Sequence, residues 1–381
     1  MNNFTYYNPT KIEFGKEKEN NIGEYLAQAG IKKVLLHYGT GSIKKNGLYE
    51  KIIISLNKSN IEFKELSGVV SNPLLSKVNE GISLSKENNI EAILAVGGGS
   101  VADSAKAIAA GAKYDGDVWD FFINKAEILE ALPVFTVMTL SATASEMNGN
   151  SVIINENTKQ KYSIASVLIN PLISVINPEL MATVSKEYLA YSAVDVISHC
   201  IEVYFTASTH PNFNSAIVES IIKTIMQTTE ILLENPNDYD ARAEFAWAAI
   251  QGLNGLTPAG TEGGNFPNHM IEHSLSALYN VAHGAGLAVV IPAWMKYYKE
   301  QNQAQFKRFA KEIFNSDDAD VGIEKLESWF SKIGAPTTLK ELNITRDGIK
   351  ELATNANATA NVWGMSELYS KETIIEILEK A

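Results

Sequence analysis

The 381-residue chain has one cysteine, Cys200, and three arginines, Arg242, Arg308 and Arg346. A lone cysteine cannot close an internal disulfide, and a chain without cystines suits a reducing compartment. So few arginines leave little with which to clamp a phosphorylated or polycarboxylate substrate, which favours a small, weakly charged one. No apolar run reaches the roughly 20 residues that a membrane span requires. The amino terminus, MNNFTYYNPTKIEFG, lacks the basic stretch and apolar run of a signal peptide. A cytoplasmic protein with no membrane partner is expected. Basic charge is short as well: Lys and Arg number 32 against 44 Asp and Glu, a formal net charge of −12. No basic footprint exists for a phosphate backbone, so nucleic acid is not an expected partner.

The length fits two domains. Up to about residue 180, short apolar runs alternate with amphipathic ones, as in a mostly parallel sheet with helices around it. Strands are predicted at 34–38, 61–66, 92–96 and 134–138, helices at 76–88 and 100–112, and an edge strand within 8–14. Past Asn177-Pro178-Glu179 the pattern becomes long and helical, over 185–205, 214–234 and 240–253. The expected fold is α/β followed by all-α, with a Rossmann-like nucleotide domain over 1–180 and an all-helical metal-binding domain over 181–381.

The helical half holds four of the six histidines in a suggestive pattern. Asp195 and His199 are four residues apart, as are His269 and His273, and His283 follows ahead of a glycine. Side chains at i and i+4 leave the same helix face, so an oxygen and a nitrogen donor there can reach one cation. A single helical histidine is more often a packed or surface residue, but two such pairs plus His283 read as an active-site metal. Which of His269 and His273 would ligate is not decided by spacing, because the two share a face. His37, in an apolar strand, and His210, before Pro211, read as structural. Cys200 reads as a core residue.

Three turns in the sheet half suit a dinucleotide. The buried run Ala92–Val96 ends in Gly97-Gly98-Gly99-Ser100 and opens a helix carrying Asp103, a place where backbone N–H groups and the positive helix end receive phosphate. A triple glycine alone also occurs in structural turns, and it does not match the ordinary G-x-G-x-x-G fingerprint. The second turn, Tyr38-Gly39-Thr40-Gly41-Ser42-Ile43-Lys44-Lys45, offers two lysines and no carboxylate to accept from a ribose hydroxyl. It therefore favours NADP(H) over NAD(H). A polar loop with solvated lysines would read the same. The third, Thr139-Leu140-Ser141-Ala142-Thr143-Ala144-Ser145-Glu146-Met147-Asn148, is rich in small hydroxyls that bond ligands or cap turns.

With the triple-glycine turn, the T-L-x-A-T-x-S-E-x-N run, the N-P-E boundary and the D-x3-H and H-x3-H-x9-H sets in this order, the chain resembles the iron-containing (group III) alcohol dehydrogenases over nearly its whole length. The runs 38–47, 269–273 and 283–288 resemble the butanol dehydrogenase branch. The resemblance implies a dehydroquinate synthase-like architecture. It implies Fe²⁺, with Zn²⁺ as the alternative, held by Asp195, His199, His269 and His283, and it gives His273 the non-ligating position near the nicotinamide. Implied coenzyme contacts are Gly39, Ser42, Asn72, Gly97, Gly98, Gly99, Ser100, Asp103, Thr139, Thr143, Asn148 and Lys161. The implied reaction is hydride transfer between small primary alcohols and aldehydes, with the metal as Lewis acid and His273 as proton relay. A homodimer pairing through the amino-terminal edge strand is also expected. A lyase of the dehydroquinate synthase type, acting on a charged sugar phosphate, fits poorly with three arginines, and a purely structural metal protein would leave the glycine turns unexplained.

Overall fold

Runs of Val, Ile and Leu in the first half form a six-stranded, wholly parallel sheet. Its strands are β1 (Lys11–Phe14), β2 (Lys33–Gly39), β3 (Glu62–Val69), β4 (Ala92–Gly97), β5 (Val134–Met138) and, after a hairpin of β6 (Asn150–Asn155) and β7 (Gln160–Ala165), β8 (Pro171–Ile176). Their spatial order is β1-β8-β5-β4-β2-β3. Every residue of β4 and β5 is buried, as expected for central parallel strands covered on both faces, whereas β3 at the edge keeps exposed positions. The helices are α1 (Ile22–Gln28), α2 (Ser42–Lys45), α3 (Leu48–Lys58), α4 (Leu75–Glu87), α5 (Gly99–Gly111) and α6 (Trp119–Phe122).

The second half is built from α7 (Lys186–Thr206), α8 (Asn212–Glu234), α9 (Tyr239–Gly252), α10 (Pro267–Tyr279), α11 (His283–Tyr298), α12 (Gln303–Phe314), α13 (Ala319–Lys332), α14 (Ile349–Val362) and α15 (Lys371–Leu378). Helix α7 starts at a Ser185 cap whose side chain accepts from the Tyr188 N–H. From Ser192 to Phe205 it is buried on every face, the mark of a central helix.

This computed structural model describes residues 1–381, in two compact units: Asn8–Val184, and Ser185–Ala381 together with Met1–Tyr7. The division at 184/185 lies slightly past the expected 180, because the short turn Pro178–Met181 still packs with the sheet unit, Met181 Sδ accepting from Ser141. The helical unit is not strictly all-helical. Two short strands, β9 (Ala207–Thr209) and β10 (Glu262–Gly263), pair antiparallel within it. The extended first residues are tied beside them, with Asn2 N–H donating to Gly260 O at 2.9 Å and Asn2 Nδ2 to Glu262 Oε2 at 3.1 Å.

The strand predicted within 8–14 is β1, and it pairs in parallel with β8 at the sheet edge. Strand β8 and the hairpin were not anticipated. The first begins at a proline, which is tolerated at the opening residue of a strand but weakens its pattern. The second is a local insertion with its own turn, marked by Lys159 at φ 53°.

Candidate metal centre and coenzyme turns

In the helical unit, three histidine nitrogens surround one carboxylate oxygen. Asp195 Oδ1 lies 3.5 Å from His199 Nε2, 3.7 Å from His269 Nε2 and 3.6 Å from His283 Nε2. Metal–ligand bonds of about 2.1 Å in a tetrahedron place the ligand atoms about 3.4 Å apart, so these spacings suit one shared cation. Asp195 Oδ1 and His269 Nε2 are buried and have no hydrogen-bond partner within the protein, a costly arrangement that a cation would resolve. The donor set fits iron or zinc.

Backbone packing creates this convergence. Asp195 and His199 are successive turns of α7, His269 is in the first turn of α10 behind Pro267, and His283 is the first residue of α11. Helix α11 approaches α7 closely because residue 284 is glycine: a Cβ there would stand 2.1 Å from the Tyr191 carbonyl oxygen. The electrostatics agree with a cation site. Burial alone would raise the Asp195 carboxyl, but His199, His283 and His269 around it hold it far below the usual range. Burial would likewise depress His269, yet Asp195 and Glu202 on either side push its imidazole up to about 9. A field that favours a proton there also favours a metal ion. His199, dominated by burial, is lowered to about 4.

His273 is 2 % exposed and stands one turn on from His269, its ring 6.5 Å from that of His269 and 5.8 Å from that of His283. The Trp363 ring meets it edge-on at 5.3 Å. Neither structural histidine joins the group. His37 is fully buried, with Nδ1 on Leu66 O and Nε2 on Ser104 Oγ, and burial lowers it to about 4. His210 Nε2 pairs with Asn302 Nδ2. Cys200 is buried and its thiol is pushed up by that burial.

Two carboxylates that the sequence reading did not single out stand behind the histidines. Glu202 Oε1 accepts from both the backbone N–H and Nδ1 of His269 at 3.0 Å, and its Oε2 accepts from Asn268 Nδ2 at 3.0 Å. Glu272 Oε2 bonds His283 Nδ1, while its Oε1 accepts from Ser276 Oγ at 2.5 Å. Both glutamates are fully buried. The legible signal was H-x-x-E, which occurs at His199/Glu202 and again at His269/Glu272.

In the sheet unit, the three expected turns leave the carboxyl ends of neighbouring strands. Tyr38 of β2 is level with Val96 of β4, Gly97 with Met138 of β5, and the Thr139 N–H donates to Gly97 O at 2.9 Å. Gly39, Ser42, Gly97–Ser100 and Thr139 thus share the sheet edge where parallel α/β folds take their ligands. Helix α5 begins at Gly99, where a Cβ would fall 2.4 Å from Thr143 Oγ1, so glycine lets the third turn rest on the first. Asn72, in the left-handed region at φ 57°, accepts from Lys161 Nζ at 3.1 Å.

Two expected contacts are directed into the protein instead. Asp103 Oδ1 accepts from Ser145 Oγ at 2.5 Å and its Oδ2 from the Val152 N–H at 3.1 Å. Asn148 Oδ1 accepts from Lys106 Nζ at 3.1 Å and from the Asn150 N–H at 3.0 Å, and its Nδ2 donates to Thr143 O at 3.1 Å. Lys106, fully buried, also donates to Ser145 Oγ and Asn150 O, each at 2.8 Å. These groups brace the third turn against α5.

The second turn holds a carboxylate that its own sequence lacks. Glu65, from the adjacent strand β3, accepts from the Tyr38 and Tyr49 hydroxyls at 2.6 Å each and lies 3.6 Å from Lys44 Nζ. Lys44 stands 4.5 Å above the Tyr49 ring.

The parallel sheet with its three turns and the four-donor cluster on helices fit a nucleotide- and metal-binding class, and comparison with known proteins gives the family. Residues 9–178 match the iron-containing alcohol dehydrogenase family and residues 189–381 its Fe-containing C-terminal domain, so the chain belongs to the iron-containing alcohol dehydrogenases. It is 40% identical over 387 residues to the probable NADH-dependent butanol dehydrogenase 1 of Bacillus subtilis, covering 100% of this chain and 99% of that protein. It is 32% identical over 361 residues to the NADPH-dependent aldehyde reductase YqhD of Escherichia coli, covering 92% of this chain and 92% of that protein. The crystal structure of NADH-dependent butanol dehydrogenase A from Thermotoga maritima superposes with a TM-score of 0.98 at 49% identity, covering 100% of this chain and 99% of that one.

Proposed function

We propose that the protein is a metal-dependent, nicotinamide-linked alcohol dehydrogenase that interconverts small primary alcohols, butanol-like in size, and their aldehydes. The observation that carries this reading is the ring of three Nε2 atoms 3.5–3.7 Å from Asp195 Oδ1 in a chain of this family. Asp195, His199, His269 and His283 hold the metal, iron in preference to zinc. When bound, the metal supplies a Lewis acid for the substrate oxygen and the dinucleotide supplies or accepts the hydride. Asp195 contributes the negative charge that offsets part of the ion's. His273, held edge-on by Trp363, carries the proton between the substrate oxygen and water.

Gly39, Ser42, Asn72, Gly97, Gly98, Gly99, Ser100, Thr139, Thr143 and Lys161 receive the coenzyme, while Asp103 and Asn148 act on it through the turn they brace. Scarcity of arginine keeps the substrate small and uncharged. The protein works as a homodimer joined at the β1 edge, which size measurement by light scattering tests directly.

Coenzyme choice lies in the second turn. Its two lysines favour NADPH, but Lys44 is paired with Glu65, which leaves Lys45 as the less committed cation for a 2′-phosphate. NADPH preference is therefore expected to be modest. Butanal reduction by the iron-loaded protein with each reduced coenzyme tests both points. Glu65→Gln, which releases Lys44, should raise the NADPH-to-NADH ratio of kcat/KM roughly 3- to 10-fold, the scale of one partly screened charge pair. A ratio that does not move removes Glu65 from the account, and absence of any aldehyde reduction with either coenzyme sinks the function.

A further inference from the structure

The two H-x-x-E pairs are wired crosswise. Glu202 follows His199 on α7 but serves His269 on α10, and Glu272 follows His269 on α10 but serves His283 on α11. Helices α7 and α10 thus each contribute one nitrogen ligand around the central oxygen and one carboxylate to the back of the next helix's histidine, while α11 contributes its histidine alone. A neutral imidazole has one N–H and one lone pair, and the partner of one nitrogen decides which it presents at the other. A buried carboxylate beside Nδ1 accepts a hydrogen bond from the Nδ1–H and so keeps the proton on that nitrogen, which leaves the Nε2 lone pair facing Asp195 Oδ1, 3.7 Å away for His269 and 3.6 Å for His283.

The surroundings commit each glutamate to that task. Glu202 also receives the His269 N–H and the Asn268 amide, so it caps the first turn of α10 and holds the ligand's backbone and ring together. Glu272 is admitted only because residue 286 is glycine, since a Cβ there would meet its Cγ at 2.8 Å and its Oε1 at 2.9 Å. The glycine of H-G-A-G nearer α7 therefore seats His283, and the second makes room for that histidine's carboxylate. His199 differs, its Nδ1 being buried with no partner in the protein.

We infer that Glu202 and Glu272 are positioning residues that lock His269 and His283 in the Nδ1–H tautomer and so set the affinity of the centre for its metal. This rests on the metal reading above. A glutamine keeps an oxygen acceptor for the Nδ1 proton. In the first case the Asn268 amide can turn to meet the new NH₂. In the second, Ser276 Oγ can accept from the new NH₂, because it already has Val281 O as a second acceptor at 3.1 Å.

The test is zinc affinity of the full-length protein, measured by chelator competition for the wild type and for Glu202→Ala, Glu202→Gln, Glu272→Ala and Glu272→Gln. Each alanine variant should bind zinc roughly 10- to 100-fold more weakly, and each glutamine variant should recover most of that loss. Alanine variants that match the wild type overturn the inference. So do glutamine variants that lose as much as alanine, because charge rather than orientation would then be responsible. If the alanine variants fail to fold, ¹⁵N-histidine spectra of the metal-free wild type, taken at alkaline pH where both rings are neutral, decide: a proton on Nδ1 of His269 and His283 is expected, and a proton on Nε2 of either overturns the assignment. A wild type that binds no zinc or iron at all would instead remove the metal centre itself, an outcome distinct from these.

Discussion

Each half of the molecule buries a knot of charges, and the two are completed differently. In the sheet unit, Lys106 finds three oxygens and Asp103 finds a hydroxyl and a backbone N–H, and the only fully buried carboxylate oxygens without a hydrogen-bond partner belong to Glu146. In the helical unit, Asp195 Oδ1 and His269 Nε2 face one another across 3.7 Å with no hydrogen bond, although Glu202 and Glu272 are fully engaged behind them. The lesson is that a charge cluster whose central lysine is satisfied within the protein organises a loop, whereas one satisfied only at its periphery is organised for something bound at its centre.

The contrast breaks most visibly at Asp195. Asp195→Ala should lower iron content below about a tenth and butanal reduction by at least ~10³-fold, about 4 kcal/mol of Lewis-acid stabilisation, while the fold persists. Metal analysis paired with steady-state kinetics checks it; full activity in metal-free protein would refute the centre. Lys106→Met should act in the opposite manner, costing about 3 kcal/mol in urea unfolding by leaving Asp103 buried beside a neutral neighbour. Metal content should not change. If the loss is under about 0.5 kcal/mol, the sheet cluster is not self-compensating as described.

The smallest effect concerns Glu146, fully buried, whose carboxyl burial raises to about 7 from an ordinary 4.5. The folded protein then keeps a proton that the unfolded chain releases. Stability from this group is complete below pH 4.5 and is lost as the pH climbs through 7. Glu146→Gln, neutral throughout, should gain on the wild type over that window by about 1–3 kcal/mol, as read from urea midpoints at a series of pH values. A difference that stays constant with pH would show that the carboxyl titrates normally.

Legibility in the sequence followed locality. The strands at 34–38, 92–96 and 134–138 and the helices at 76–88 and 100–112 appear within a residue or two of where apolar periodicity put them, because each is defined by its own neighbours. Asp195 with His199 was readable for the same reason, being one turn of one helix. Spacing could not choose between His269 and His273, because both leave the same face; the family resemblance made that choice, and the crossing of α7 and α10 brings His269 Nε2 to 3.7 Å from Asp195 Oδ1. Glu65 escaped notice because it reaches the second turn from a neighbouring strand, where Leu36 is its register partner. Lys106 meets Asn148 across 42 residues, a contact that no local spacing announces.

The first seven residues carry one more consequence. Because Met1–Tyr7 packs with Ser185–Ala381 while the stretch between forms the other unit, the chain leaves the helical body and later re-enters it. A single cut near 184 would therefore yield a carboxy-terminal fragment missing its own amino-terminal strap, with Gly260 O and Glu262 deprived of Asn2. Isolating that body intact would take a rewired chain, in which the leading heptapeptide is spliced directly ahead of Ser185.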